Sequence, residues 1–352
     1  MKRFFIFLAL LPLMFACSKK KDEKGKADFE TLMGRETERW QFVQTPEDFE
    51  NLAFFKKIYE QTLPLLEEQS TVQRIPKTIH FIWIGPKPFP RESIENVRSW
   101  IAKHPDWTFK FWTDRDRPVP HPKMQKCFIQ DLKFAHLFDC YNKSDNYGEK
   151  SDVLRYEILN AEGGVYVDHD VKCFKSFQPL NSNLDLYIGM EMPYKTALSS
   201  SVLPTNNIVA SKAGHPILER CMQWLAQKWD QLDRDYPGKD RDAVINRVAH
   251  RTFLALGESF KEMAGKNGNR DVAFPAFYFN APRDDLAIYS RHLYGGTWFE
   301  NENPFEKMVR ERLMKITKKT NKILLFFGVV TFLNVIGFTL FYLKYRKSLR
   351  RA

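Results

Sequence analysis

The sequence predicts an α/β domain with a mostly parallel sheet, set between an N-terminal helical segment and one C-terminal transmembrane helix. Three observations lead there. From Ile75 to about Pro304, short β-branched and aromatic runs alternate with stretches whose apolar residues recur every three or four positions, the pattern of strands alternating with helices. The chain has 352 residues, 43% of them hydrophobic and 14% aromatic, which suits one large core with appendages and argues against wholesale disorder. Residues 323–343 contain no charge and match the roughly 20 residues that span a bilayer as a helix.

Lys2 and Arg3 precede an apolar run, residues 4–16, of the length of a signal-peptide core. Ala16-Cys17 followed by Ser18 and lysines resembles a bacterial lipoprotein cleavage site, although Met14 and Phe15 depart from the usual pattern. Residues 1–17 are therefore expected to be a signal peptide or lipoprotein signal, with an uncleaved anchor as the alternative. Lipidation at Cys17 would place the protein in a bacterial cell envelope; the side of the membrane that holds the domain is open. Residues 18–30 are polar and lysine-rich and read as a linker. Residues 31–74 read as a helical segment, with Phe49, Leu52, Phe55, Tyr59, Leu63 and Leu66 at helical spacing.

The main domain is expected over residues 75–304. A strand runs over 79–84, closed by Gly85-Pro86, and a helix over 92–103 carries Ile94, Val97 and Ile101 on one face. A strand follows at 107–112, then a helical region over 123–141 and a helix over 150–161 with Ser151 as its cap. Further strands are expected at 165–170, 186–190 and 208–210, and an amphipathic helix at 217–229. Residues 305–322 suit a basic juxtamembrane helix, with Phe305, Val309, Leu313 and Ile316 beside Arg310, Arg312, Lys315, Lys318 and Lys319. Residues 323–343 form the span and 344–352 a basic tail.

The net charge of +11 is not a nucleic-acid signature. Twelve Lys and Arg against the single acid Glu311 fall within residues 307–352, so the preceding residues sum to zero. The excess flanks the span, where it meets anionic headgroups. Cys17, Cys127, Cys140, Cys173 and Cys221 include no Cys-x-x-Cys pair; disulfides and buried thiols both remain open.

The most informative stretch is Val165-Tyr166-Val167-Asp168-His169-Asp170-Val171, preceded by Gly163-Gly164. Positions i and i+2 of a strand share a side, so both carboxylates are expected to face one point beyond the sheet. A hard divalent cation takes oxygen ligands there and can neutralise a departing diphosphate. Ligands of open α/β sheets gather at the carboxyl ends of strands, where Asp168 and Asp170 fall. Alone, Asp-x-Asp is a common accident. Its companions are Ile75-Pro76-Lys77-Thr78-Ile79-His80-Phe81-Ile82-Trp83-Ile84-Gly85, Ser151-Asp152-Val153-Leu154-Arg155-Tyr156, Asn206-Asn207 leading into Gly214-His215-Pro216, and His292 with Gly295-Gly296-Thr297-Trp298.

Together these segments resemble the glycosyltransferase family with a DXD-containing sugar-binding region. That family includes initiating α-1,6-mannosyltransferases of yeast and is distantly similar to the glucosylating clostridial toxins. The resemblance spans about residues 75–300 and implies a GT-A type nucleotide-sugar-binding domain. It implies that Trp83 stacks on the nucleotide base and that Asp152 and Arg155 hold the donor sugar and diphosphate. Asp168 is then expected at the ribose and sugar hydroxyls and beside the metal, and Asp170 at Mn²⁺ or Mg²⁺. His292 is expected at the diphosphate or metal, and Trp298 in a closing loop. Asn206 or Asn207, with Asn207 preferred, would bond sugar hydroxyls. The implied partners are a nucleotide-sugar donor, a glycan, glycolipid or protein acceptor, and a membrane, with no nucleic acid; the implied outcome is retention of anomeric configuration.

Competing readings of the same residues are a core Trp83 and a surface ion pair of Asp152 with Arg155, which would contribute only about 0.3–0.5 kcal/mol. Two other functions also fit parts of the chain. Haloacid-dehalogenase-like phosphatases carry Asp-x-Asp after an apolar strand, but usually with Thr two residues after the second Asp, where Lys172 stands. A membrane-tethered sugar-binding protein without turnover would keep the fold.

Overall fold

The computed structural model describes residues 27–70, 72–196, 198–295 and 304–349. The expectations for residues 1–17, most of the 18–30 linker and Trp298 lie outside them. Seven strands form the central sheet: β1 (Thr78–Ile82), β2 (Thr108–Thr113), β3 (Met124–Phe128), β4 (Gly164–Val167), β6 (Leu186–Met190), β7 (Pro204–Ser211) and β8 (Asp271–Phe274). The remaining two, β5 (Val171–Cys173) and β9 (Ser290–His292), pair with each other. The order across the large sheet is β3-β2-β1-β4-β7-β6-β8, and only β7 runs against the rest. This is the mostly parallel α/β sheet expected from the alternation of patterns.

Strands β1, β4, β6 and β7 are buried along nearly their whole length, as strands covered on both faces must be. The helix Tyr147–Glu162 is buried on almost every side from Asp152 to Leu159, so charged side chains on it must find partners inside the protein. Glu157, for example, accepts the backbone N–H groups of Ala135, His136 and Leu137 at 2.6–2.8 Å. The helix ends at Gly163, whose φ of +66° turns the chain; Gly164 follows at +106°. A side chain on Gly164 would meet the Thr78 carbonyl at 2.7 Å and the His80 ring at 2.8 Å. The Gly-Gly pair thus lets β4 lie directly against β1.

Several expectations need correcting. The region 123–141 is not helical throughout: an edge strand, a short 3₁₀ turn and the helix Phe138–Lys143 occupy it. Met124 to Phe128 pairs in register with β2, and that partner decides the conformation. The cap of the long helix is Asn146, which accepts from Gly148 and Glu149; Ser151 sits one turn inside. The N-terminal segment is three pieces, Phe29–Leu32, Glu38–Phe42 and Pro46–Leu66, separated by a left-handed Gly34 and by the Thr45–Asp48 capping box. Phe49, counted in the apolar stripe, is 56% exposed, whereas Leu52, Phe55 and Tyr59 are buried. Cys127, Cys140, Cys173 and Cys221 are free thiols. At the other end, the expected juxtamembrane helix and span form one continuous helix, Pro304–Leu349. Its segment Lys322–Leu343 is long and apolar enough to cross a membrane.

Candidate active site

Asp152 and Arg155 lie on the buried helix and face the carboxyl end of β4. Both are almost fully buried, which removes the surface ion-pair reading. Arg155 reaches Asp152 at 2.6 Å and Asp168 at 3.4 Å, donates to the Asn206 carbonyl at 2.6 Å, and lies 4.2 Å over the Tyr166 ring. Asp152 also accepts from the Asn206 amide at 3.0 Å. Burial pushes the Asp152 carboxyl up to about 8, against the pull of Arg155. Its second oxygen has no hydrogen-bond partner among the described residues. A buried acceptor left in that state costs free energy that a ligand hydroxyl can recover.

Asp168 and Asp170 do not sit at i and i+2 of a strand. β4 stops at Val167, and the chain turns there, closed by the Val171 N–H on the Asp168 carbonyl at 3.2 Å. Convergence comes from other elements. Asp168 is held by Arg155, by the Tyr166 hydroxyl at 2.5 Å, and through its own N–H by the Asn207 carbonyl at 2.9 Å. The β5–β9 pair aligns Val171 with His292 and so brings His292 Nε2 to 3.3 Å from Asp170. The Gly295 N–H donates to the same carboxylate oxygen at 2.5 Å.

One ligand atom from each of Asp168, Asp170 and His292 lies within 4.8 Å of the others. His292 Nδ1 is buried without a hydrogen-bond partner among the described residues. Two carboxylates and one imidazole suit a hard or borderline divalent ion such as Mg²⁺ or Mn²⁺, so these residues fit the implied metal. Burial raises the Asp170 carboxyl, but the hydrogen bond and charge of His292 outweigh it and hold it well below the usual range. Burial lowers the His292 imidazole, and its bond to Asp170 more than reverses this.

Trp83 follows β1 directly. Its indole donates to the Lys87 carbonyl at 2.9 Å, and its ring meets His169, the middle residue of Asp-His-Asp, edge-on at 4.9 Å. It is half-buried and packs against the edge of the core. Asn207 lies opposite the carboxylates, but its amide donates to Asn280 at 2.7 Å and its oxygen accepts from Thr205. Asn206 bonds Asp152 instead.

Residues that sequence reasoning passed over include Tyr166, Glu191, Tyr294 and His80. Tyr166 lies on β4, two residues before Asp168, and its hydroxyl reaches that carboxylate across the strand end. His80 is fully buried; its Nε2 pairs with the Gly163 carbonyl at 2.9 Å and its Nδ1 accepts from the Trp112 indole at 3.1 Å. This histidine fastens β1 to the start of β4 and so sets the height of the carboxylates. Glu191 and Tyr294 carry no local signal.

Residues 90–186 match the family model described as a glycosyltransferase sugar-binding region containing a DXD motif. That region holds Asp152, Arg155, Asp168 and Asp170, and leaves Trp83, Glu191, Asn207 and His292 outside. The chain is 34% identical to the subversion of eukaryotic traffic protein A of Legionella pneumophila, over 59% of this chain and 31% of that protein. It is 30% identical to inositol phosphoceramide mannosyltransferase 3 of Schizosaccharomyces pombe, over 41% and 35% of the two chains. To a mannosyl phosphorylinositol ceramide synthase of Saccharomyces cerevisiae it is 26% identical, over 45% and 37%. The chain thus spans about a third of the length of these curated relatives.

Proposed function

We propose that the protein is a metal-dependent glycosyltransferase that moves a hexose from a nucleotide-sugar donor to a membrane-associated glycan, lipid or protein acceptor, with retention of configuration. The carrying observation is the convergence of Asp168, Asp170 and His292 beside the buried Asp152–Arg155 pair, within a DXD region. Asp168, Asp170 and His292 would hold Mn²⁺ or Mg²⁺. When bound, such an ion neutralises charge on a departing nucleoside diphosphate.

The chain's own groups supply the rest. Arg155 cannot swing away, because it is stacked on Tyr166 and bonded to the Asn206 carbonyl; its positive charge is fixed before the donor arrives, which is what electrostatic preorganisation requires. The free oxygen of Asp152 accepts a donor hydroxyl. Trp83 offers an aromatic face to the nucleotide base. The apolar helix Lys322–Leu343 would hold this cleft at a bilayer and favour acceptors presented there. Among these, the names of the yeast relatives favour a lipid whose acceptor group is a phosphorylated polyol.

The test is a screen of nucleotide sugars with the full chain in detergent. Hydrolysis of at least one donor, abolished by excess chelator and restored by Mn²⁺ or Mg²⁺, is the expected result. Release of phosphate from simple phosphate esters without any nucleotide sugar would instead favour the phosphatase reading. Donor binding without turnover would favour a sugar-binding protein.

A further inference from the structure

Trp83 is the first residue after β1, and its backbone alone does not orient its indole. The Trp83 N–H bonds the Trp112 carbonyl at 2.9 Å, which ties the main chain to β2 but leaves the side chain to other contacts. Phe89 and His169 meet the ring edge-on at 5.5 and 4.9 Å. An indole has a single hydrogen-bond donor, and here the Lys87 carbonyl takes it at 2.9 Å. The tilt of the ring therefore follows the position of that carbonyl.

Lys87 lies on the loop between β1 and the helix Ser93–Lys103. Gly85 turns this loop with a φ of +87°, so close to Tyr147 that an added Cβ would lie 2.8 Å from its ring. The remaining anchors come from the chain just past β2. The Arg117 guanidinium donates to the Lys87 carbonyl at 2.8 Å and to the Gly85 carbonyl at 2.5 Å. It also donates to one Asp114 oxygen at 3.0 Å, while the other accepts the Gly85 N–H at 3.1 Å. The Arg117 side chain is only 9% exposed. The carbonyl that holds Trp83 is thus itself held by Arg117.

We propose that Arg117 is a positioning residue for the donor nucleotide: braced by Asp114, it fixes the Lys87 carbonyl and through it the plane of the Trp83 indole. The assignment rests on the glycosyltransferase reading, in which Trp83 receives the base. Arginine suits the task because its planar fork reaches two carbonyls at once, whereas a lysine ammonium acts as a point charge. Asp114 balances the guanidinium charge and adds a charge-assisted bond. The competing account is a plain tether between two loops, whose loss would act independently of Trp83. Arg115 provides a control. It pairs with the same Asp114 carboxylate at 2.9 Å and is 45% exposed, but among the described residues it bonds neither loop carbonyl.

The experiment measures binding of uridine diphosphate and guanosine diphosphate, with Mn²⁺, to the full chain in detergent micelles, as a double-mutant cycle of Arg117 and Trp83. For the nucleotide that the native chain binds more tightly, Arg117→Gln should weaken binding about tenfold, part of what stacking on an aromatic supplies. In the Trp83→Ala background the same change should cost less than about twofold, because the ring it positions is gone. Arg117→Lys, which keeps the charge without the fork, should cost about threefold and only with Trp83 present, and it carries the test if Arg117→Gln does not fold. Arg115→Gln should bind as the native chain does. The proposal is overturned if the Arg117 variants lose as much without Trp83 as with it. It is also overturned if Arg115→Gln loses as much as Arg117→Gln, or if Trp83→Ala itself binds normally. Nucleotide-sugar hydrolysis is read on the same samples. Hydrolysis without coupling of Arg117 to Trp83 overturns the positioning role alone. Coupling without hydrolysis supports that role and overturns only the glycosyltransferase reading, and a native chain that binds neither nucleotide overturns both.

Discussion

Arg155 and Arg39 are held in opposite ways. Arg155 is 1% exposed, stacked on Tyr166 and bonded to Asp152 and to the Asn206 carbonyl, all within or beside β4 and the helix that precedes it. Arg39 is exposed, on a segment that docks on the loop after β6. Asp48 makes that dock: its carboxylate caps Gln44 and Thr45 at 2.8 Å and also accepts from the Ser201 N–H at 2.6 Å and the Ser200 hydroxyl at 2.8 Å. Asp152 and Arg155 are set side by side three positions apart on one helix, whereas the N-terminal segment is held by contacts between residues some 150 positions apart. The first should tolerate little change; the second can be undocked while the sheet stays folded.

The strongest way to break the donor side is Asp170→Ala. Turnover should fall by about a hundred- to a thousandfold, the range for removing one group that stabilises transition-state charge, while far-UV circular dichroism stays native. Unchanged activity, or full activity in excess chelator, would remove Asp170 from the site.

Next in size is Asp48→Ala in the N-terminal segment. Losing several bonds to a buried carboxylate should cost about 3 kcal/mol in denaturant unfolding. Limited proteolysis should then cut first in the N-terminal segment. A cost under about 1 kcal/mol would mean that apolar packing of Phe55 and Tyr59 holds the segment by itself.

Acid should act on the donor side through His80. Burial pushes its imidazole down to about 4. The unfolded chain, with an ordinary imidazole, therefore binds more protons between about pH 6.5 and 4. Stability from this group is complete above that window and falls through it by up to about 3 kcal/mol. The structure explains the direction: in the neutral ring Nε2 donates to the Gly163 carbonyl and Nδ1 accepts from Trp112, and a second ring proton would point at the indole N–H. Thermal melts across pH 4–7 check this, with His80→Gln expected to be flatter. An equally steep profile in that variant would assign the acid sensitivity elsewhere.

The smallest effect distinguishes Trp83 as a donor platform from Trp83 as a structural residue. Trp83→Ala should weaken nucleotide-sugar binding by about 1–3 kcal/mol, and Trp83→Phe should keep part of it. Normal binding with a lowered melting temperature would make it a packing residue.

Much of the donor side was legible in the sequence because its determinants are local. Gly163-Gly164 before a β-branched run announces a helix end and a tight strand start, and three-residue spacing puts Asp152 and Arg155 on one face of a helix. Asp168 and Asp170 do converge as expected, although by a turn and not by strand alternation. Asn207 shows the limit of such reading. Its neighbour Asn206 reaches Asp152, while its own amide is engaged by Asn280, 73 positions away.

The sequence by itself determined the α/β alternation, the shared helix face of Asp152 and Arg155 and the apolar C-terminal helix, since each depends on periodicity or spacing within one or two elements. Only the tertiary structure decided that His292 meets Asp170, that His80 fastens β1 to Gly163, that Tyr294 meets Glu191, and that Ser200 and Ser201 meet Asp48. Those contacts need β5 to pair with β9 and the N-terminal segment to dock beside β6. Pairings between distant segments depend on which surfaces bury each other, and that information is spread over the whole core.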